Sequence, residues 1–243
     1  MRQLQGQVVF DEPSVTFDEN EGVLSAHTAH YLVFRGLPLD SWRYRCVKRT
    51  FDFVLALMMS LVFLIPGLLI AACIYLTTPY PVFYSEERVG RKGVPFRIWK
   101  FRSMRPHNAV VPSSGAHSEG TVLKWRMVKP DNDPRITPIG RFLRRWSLDE
   151  IPQLFNVLRG EMSLIGPRPV VKAEINFYRH LLPYYLAATP GLSGLWQVSG
   201  RSNLDYDERA RLDAHYVQEW SLRLDINIFF RTIPAVFRHV GAR

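Results

Sequence analysis

Twenty-four consecutive residues, from Phe53 to Leu76 (FVLALMMSLVFLIPGLLIAACIYL), carry no formal charge. About 20 apolar residues suffice to cross a bilayer as one helix, so this run decides what the rest of the chain is built around. Pro66-Gly67 lies inside it. Proline lacks a backbone donor and clashes with the carbonyl one turn back, which predicts a break there. The halves, 53–65 and 67–76, would reach about 20 Å and 15 Å, each short of the roughly 30 Å of a hydrocarbon core. Arg43, Arg45, Lys48 and Arg49 precede the run, and Arg88, Arg91 and Lys92 follow it. Bases on both flanks favour the cytoplasmic side for both ends. The run therefore reads as a re-entrant helix that enters, bends at Pro66 and returns, with a kinked full span as the alternative. Asp52, at the edge of the run, is expected near the interface.

The charge is uneven. Residues 1–40 hold six acids and two bases, a net −4 within an overall +9, which leaves +13 on the remainder. A basic body suits an anionic partner: nucleic acid, anionic lipid or a phosphorylated substrate. With 47% hydrophobic and 13% aromatic residues the chain is no disordered segment. Two cysteines, Cys46 and Cys73, exclude a disulfide scaffold and a Cys-based zinc site. Residues 1–40 lack the pattern of a signal peptide and read as a loosely ordered arm. His30, His107 and His117 lack metal-ligand spacing.

Beyond the apolar run, 81–88 and 95–102 are β-prone segments around Gly90 and Gly93, a predicted hairpin. Residues 104–132 read as a long loop. Helices are expected over 139–146, 170–188, 204–220 and 222–237. The last is apolar on one broad face, which suits either a core helix or one lying in a membrane interface.

The adjacent carboxylates Asp149 and Glu150 are the sharpest chemical pair. Ser147-x-x-Glu150 fits a capping box, although Pro152 disfavours a helix through that point or moves its start to Pro152. The other reading is a pair at a helix N-terminus, where the dipole lowers carboxylate pKa and attracts phosphate. There an ionised Asp can attack phosphorus, and a neighbouring Glu can hold Mg²⁺ together with substrate phosphates. Arg168, between Pro167 and Pro169, is a stiffly presented guanidinium suited to phosphate oxygens, or else an incidental turn residue. The glycines of 191–201 have neither P-loop nor G-x-G-x-x-G spacing.

The chain resembles the bacterial sugar transferases, the monotopic phosphoglycosyl transferases. The resemblance rests on ordered blocks over about 46–238: Lys48-Arg-x-Phe-Asp52, the Pro66-broken run, Phe101-Arg-Ser-Met104, Asp133-Pro-Arg-Ile136 and Gly140-Arg-Phe-Leu-Arg144. It continues through Ser147-Leu-Asp-Glu-Ile-Pro-Gln153, Phe155-Asn-Val-Leu158, Met162-Ser-Leu-Ile-Gly-Pro-Arg-Pro169, Pro190-Gly-Leu-Ser-Gly-Leu-Trp-Gln-Val-Ser-Gly-Arg201 and Leu224-Asp225. The family often has Ser-Pro at the break, where this chain has Ile65-Pro66.

The resemblance implies transfer of a hexose-1-phosphate from a UDP-hexose (glucose or galactose favoured) to undecaprenyl phosphate, with UMP leaving. Asp149 would be the nucleophile that carries the phosphosugar. Glu150 would help Asp149 bind Mg²⁺, with Asp225 supporting that metal site. Arg144 and Arg168 would hold phosphates, and Arg201 would lie near the nucleotide. The expected fold is α-rich α+β: a monotopic membrane protein with a re-entrant helix, a small β-hairpin and amphipathic interfacial helices. Its expected parts are an N-terminal arm (1–45), the membrane helix (46–80) and a cytoplasmic catalytic domain (81–243). The expected setting is the cytoplasmic face of a bacterial inner membrane, in contact with membrane lipid, with no nucleic-acid partner and a homodimer left open. The alternative function is a non-catalytic membrane-anchored scaffold for polysaccharide assembly.

Overall fold

The computed structural model describes residues 37–42, 44–105, 133–200 and 204–237. Most of the 1–45 arm, the body of the 104–132 loop, Arg201 and the three histidines His30, His107 and His117 lie outside these residues.

The apolar run forms two helices. A π-helical turn, Tyr44–Lys48, leads into α1 (Arg49–Val62), and α2 (Leu64–Thr77) follows. They are bent by 59°. The bend falls at Phe63 rather than at Pro66, and Pro66 sits in the first turn of α2. The offset follows from proline chemistry: the carbonyl that Pro66 cannot satisfy, and that its ring crowds, belongs to Val62 four residues earlier. Among the described residues no single helix is long and apolar enough to cross a membrane, but the bent pair passes that test together by length and composition. Large apolar side chains along the pair are exposed, among them Leu61, Val62, Ile65, Leu68, Leu69 and Leu76.

The base of the pair is fastened to the protein. Lys48 and Asp52, one helical turn apart, are both buried, and the Lys48 ammonium bridges Asp52 (3.1 Å) and Asp225 (2.9 Å). Asp52 also accepts from the Leu164 amide. This corrects the expectation that Asp52 sits at an interface: its charge is matched inside the protein. Arg49 donates to the carbonyls of Val157 and Leu158, near the C-terminal end of α4 (Gln153–Arg159), where a cation complements the helix dipole.

The hairpin forms as expected. β1 (Phe83–Val89) pairs antiparallel with β2 (Pro95–Phe101) in the register Phe83↔Phe101. Its turn uses positive φ at Lys92 and Gly93. The first β2 side chains alternate, with Phe96 and Ile98 buried, and Phe101 at the strand end is buried out of phase with them. Asn156 of α4, fully buried, acts as a substitute strand beside β2. Its carboxamide oxygen accepts from the Trp99 amide (3.1 Å), and its nitrogen donates to the Arg97 carbonyl (2.7 Å) and to Glu161 (2.7 Å). Asn156→Ala is expected to cost about 2–3 kcal/mol by leaving these groups unpaired, read as a lower denaturation midpoint.

Helix α3 (Pro138–Arg145) is capped by Thr137, whose hydroxyl accepts from the Gly140 amide (2.9 Å). The segment expected as one helix over 170–188 is instead a 3₁₀ stretch, Lys172–Leu181, and a short α5, Leu182–Ala187. The break is at Arg179, with φ +46°, in the turn before Pro183, as the break at Phe63 lies in the turn before Pro66. A parallel pair that the sequence did not signal joins β3 (Ser163–Ile165) to β4 (Gly191–Ser193). Its glycines serve backbone approach: a Cβ on Gly191 would lie 2.1 Å from the Gly166 nitrogen, and one on Gly194 would lie 2.3 Å from the Gly166 oxygen. The chain closes with α6 (Leu195–Ser199), α7 (Tyr206–Gln218) and α8 (Leu222–Phe237). Helix α8 buries Asp225 and Ile228 and exposes Phe230 and Phe237, so it serves both the core and an exposed apolar face. The described chain is thus helix-rich with a small antiparallel hairpin.

Candidate active site

Asp149 and Glu150 sit in a 3₁₀ turn, Leu148–Glu150, between α3 and α4. Ser147 adopts φ +54° and its side chain makes no capping hydrogen bond, so the capping-box reading does not hold. Helix α4 begins only at Gln153, with Pro152 as its N-cap residue. Asp149 therefore precedes the helix and is not one of its first-turn residues. Burial and then the Glu150 charge push the Asp149 carboxyl above the usual carboxylate range, while Lys100 and Arg144 pull it back. This reverses the expected direction.

Lys100 is the site residue that sequence reasoning passed over. It makes a 2.6 Å ion pair with Glu150. The available signal was its parity: Lys100 shares the core-facing side of β2 with Phe96 and Ile98, where an unpartnered charge is costly. Through its bonds to Trp99 and Arg97, Asn156 holds this strand against α4 and so sets Lys100 beside the dyad.

Arg144, at the end of α3, donates to the Met104 sulfur (3.0 Å) and lowers the carboxyl pKa of both Asp149 and Asp133. Asp133 itself is held below the usual range first by its hydrogen bonds to Arg135. Asp149, Glu150, Lys100 and Arg144 thus form one cluster of two carboxylates and two cations.

Arg168 stands in a different environment. The flanks of Pro167-Arg168-Pro169 are tied down: the Gly191 amide donates to the Pro167 carbonyl (2.7 Å) and Arg88 donates to the Pro169 carbonyl (3.1 Å). The Tyr185 hydroxyl accepts from the Val170 amide (3.1 Å) and donates to the Val89 carbonyl (2.6 Å). The guanidinium lies 5.9 Å from the centroid of Trp196. The stiff presentation expected from the prolines is present, reinforced by these bonds.

The structure does not bring Asp225 to the dyad. It is fully buried and takes Lys48 and Trp220 on one oxygen and Tyr216 on the other (2.9, 3.0 and 2.7 Å). With both oxygens engaged it is a poor metal ligand. Among the described residues no three His, Cys, Asp or Glu side chains cluster as a metal site. The dyad alone still fits Mg²⁺, which commonly takes one or two carboxylates and completes its shell with water and substrate phosphates.

Comparison with known proteins finds several similar chains. The chain is 46% identical over 202 residues to the undecaprenyl-phosphate galactose phosphotransferase of Salmonella typhimurium, covering 82% of this chain and 42% of the relative. It is 44% identical over 191 residues to the exopolysaccharide production protein ExoY of Rhizobium meliloti, covering 78% and 84%. It is 38% identical over 197 residues to the UDP-glucose:undecaprenyl-phosphate glucose-1-phosphate transferase of Escherichia coli, covering 78% and 40%. The chain spans about two fifths of the length of the first and third of these relatives. The bacterial sugar transferase profile matches residues 43–239, from the base of the bent helix pair through the dyad to the end of α8, and the chain belongs to that family.

Proposed function

We propose that this chain transfers hexose-1-phosphate from a UDP-hexose, glucose or galactose, to undecaprenyl phosphate, an initiating step of polysaccharide assembly. The observation that carries the reading is the Asp149 carboxylate, set beside Glu150 and facing Lys100 and Arg144. Phosphoryl transfer needs a positioned nucleophile and cations for the developing charge. An Asp149 oxygen attacks the β-phosphorus of the donor, the bond to the α-phosphate oxygen breaks, and UMP leaves. An oxygen of undecaprenyl phosphate then attacks the same phosphorus and frees the Asp149 carboxylate. Bound between the dyad and the substrate phosphates, Mg²⁺ would supply further charge neutralisation. Arg144 offsets negative charge at the dyad, and Arg168 offers a fixed guanidinium to phosphate oxygens.

The exposed apolar surface of α1 and α2 supports a seat in the bilayer, since a soluble surface rarely leaves so continuous an apolar patch uncovered. The helix pair would be re-entrant, with the dyad on the cytoplasmic face of the inner membrane at headgroup level, where an acceptor phosphate resides.

The test is product analysis with Mg²⁺, undecaprenyl phosphate and a panel of UDP-sugars. UMP and a lipid-linked diphosphosugar are the expected products, and release of UDP would refute the reading. The raised Asp149 carboxyl adds a pH prediction. Because the nucleophile is the ionised form, the acid limb of kcat/KM lies above the ordinary Asp value of about 3.9. Glu150→Gln removes a like charge and moves the limb to lower pH. Lys100→Met removes an opposing charge and moves it to higher pH.

A further inference from the structure

Two guanidiniums converge on one indole. Arg168 lies 5.9 Å and Arg209 4.8 Å from the ring centroid of Trp196, and Arg209 also lies 5.2 Å from that of Tyr206. Neither guanidinium has an ion pair or hydrogen-bonded acceptor among the described residues, and the Arg209 Nε is buried without a partner. The acids around them are otherwise engaged. Glu174 accepts from Tyr206 and from the Val171 amide and lies 4.0 Å from Arg88. Glu208 closes the capping box of α7 with Asp205. Asp213, one turn beyond Arg209, accepts from the Tyr178 hydroxyl (2.8 Å) and from the Arg168 backbone, and burial pushes its carboxyl up to about 8 against the pull of the Arg168 charge. Two guanidiniums therefore stand together on an aromatic floor, neither of them in an ion pair among the described residues, and one of them on the rigid Pro167–Pro169 segment.

We propose that Arg209, packed on Trp196 beside Arg168, is a second phosphate-binding arginine that takes an oxygen of a substrate phosphoryl group. The aromatic stacking fixes the plane of the guanidinium, so little freedom is lost when an anion binds. The proposal rests on the phosphoryl-transfer reading. The phosphoryl group belongs either to the nucleoside diphosphate donor or to the polyprenyl phosphate acceptor, and the assay separates these.

The experiment compares the wild type with Arg209→Gln, Arg209→Lys and the exposed Arg211→Gln, which removes the same charge from the same helix. KM is measured for donor and acceptor separately, and UDP and inorganic pyrophosphate binding is measured at equilibrium without turnover. Arg209→Gln is expected to raise one KM by roughly 10–100-fold, as loss of a charge-assisted hydrogen bond does, with kcat changed far less. Arg209→Lys recovers part of the loss, and Arg211→Gln leaves both KM values as they were. A raised donor KM with weakened UDP and pyrophosphate binding assigns the site to the donor, and a raised acceptor KM alone assigns it to the acceptor. Unchanged KM values and unchanged binding in an Arg209→Gln protein with wild-type thermal unfolding overturn the proposal. So does a loss of kcat alone. If the wild type shows no transfer, the functional reading fails, and the equilibrium arm still decides whether Arg209 binds phosphate: weaker binding in Arg209→Gln supports it and equal or absent binding overturns it.

Discussion

Asp149→Asn abolishes transfer, a loss expected to reach roughly 10⁴-fold or more, as removal of a nucleophile does in other covalent mechanisms. The asparagine keeps the shape and the hydrogen-bonding capacity of the side chain but cannot form an acyl phosphate. It should not weaken the fold. Burial and the Glu150 charge both disfavour ionised Asp149, so neutralising it relieves a repulsion. UMP release is the readout for activity, and denaturation midpoint together with membrane recovery are the readouts for integrity. An inactive Asp149→Asn protein that folds and inserts like the wild type excludes the scaffold alternative. Polysaccharide assembly that proceeds normally in that variant would favour the scaffold. Glu150→Gln should be milder, since it leaves the nucleophile in place.

The second large effect concerns stability. Lys48→Met is expected to destabilise the protein by about 3–5 kcal/mol, the usual cost of removing one partner from a buried ion pair. Lys48 bridges Asp52 and Asp225, and all three are buried. Its loss leaves two buried carboxylates without their shared counter-charge. Against a total stability of about 5–15 kcal/mol this is a large fraction. The combined variant Lys48→Met, Asp52→Asn, Asp225→Asn removes the stranded charges along with the bridge and should recover much of the loss. Chemical unfolding of the detergent-solubilised proteins, with the slope held common, checks both statements.

Local chemistry made part of this structure readable. The hairpin declared itself through alternation and two glycines, and the helices 206–218 and 222–237 through their periodicity. The breaks at Phe63 and Arg179 were readable in principle, because a proline disturbs the turn that precedes it rather than its own position. The Asp149–Glu150 pair was conspicuous as chemistry, but its environment was not. Ser147 in a left-handed conformation, and the arrival of Lys100 from β2, depend on how α4 packs under the hairpin. The parallel β3–β4 pair was hidden because each strand has three residues and the partners lie far apart in sequence. Lys48 and Asp52 could be paired by their spacing, whereas Asp225 could be joined to them only by the tertiary fold.

The clamp at the foot of the helix pair also imposes an order on biosynthesis. Arg49 is held by the carbonyls of Val157 and Leu158, and Lys48 by Asp225. At about 5–20 residues per second, the roughly 150 residues between the end of α2 and Asp225 take on the order of 7–30 s to leave a ribosome. The Arg49 contacts with Val157 and Leu158 can form about midway through that interval, whereas the buried Lys48 charge waits until its end for Asp225. The Lys48–Asp225 bridge can close only once Asp225 has been translated, so the foot of the helix pair is completed by a residue made long after the helices themselves.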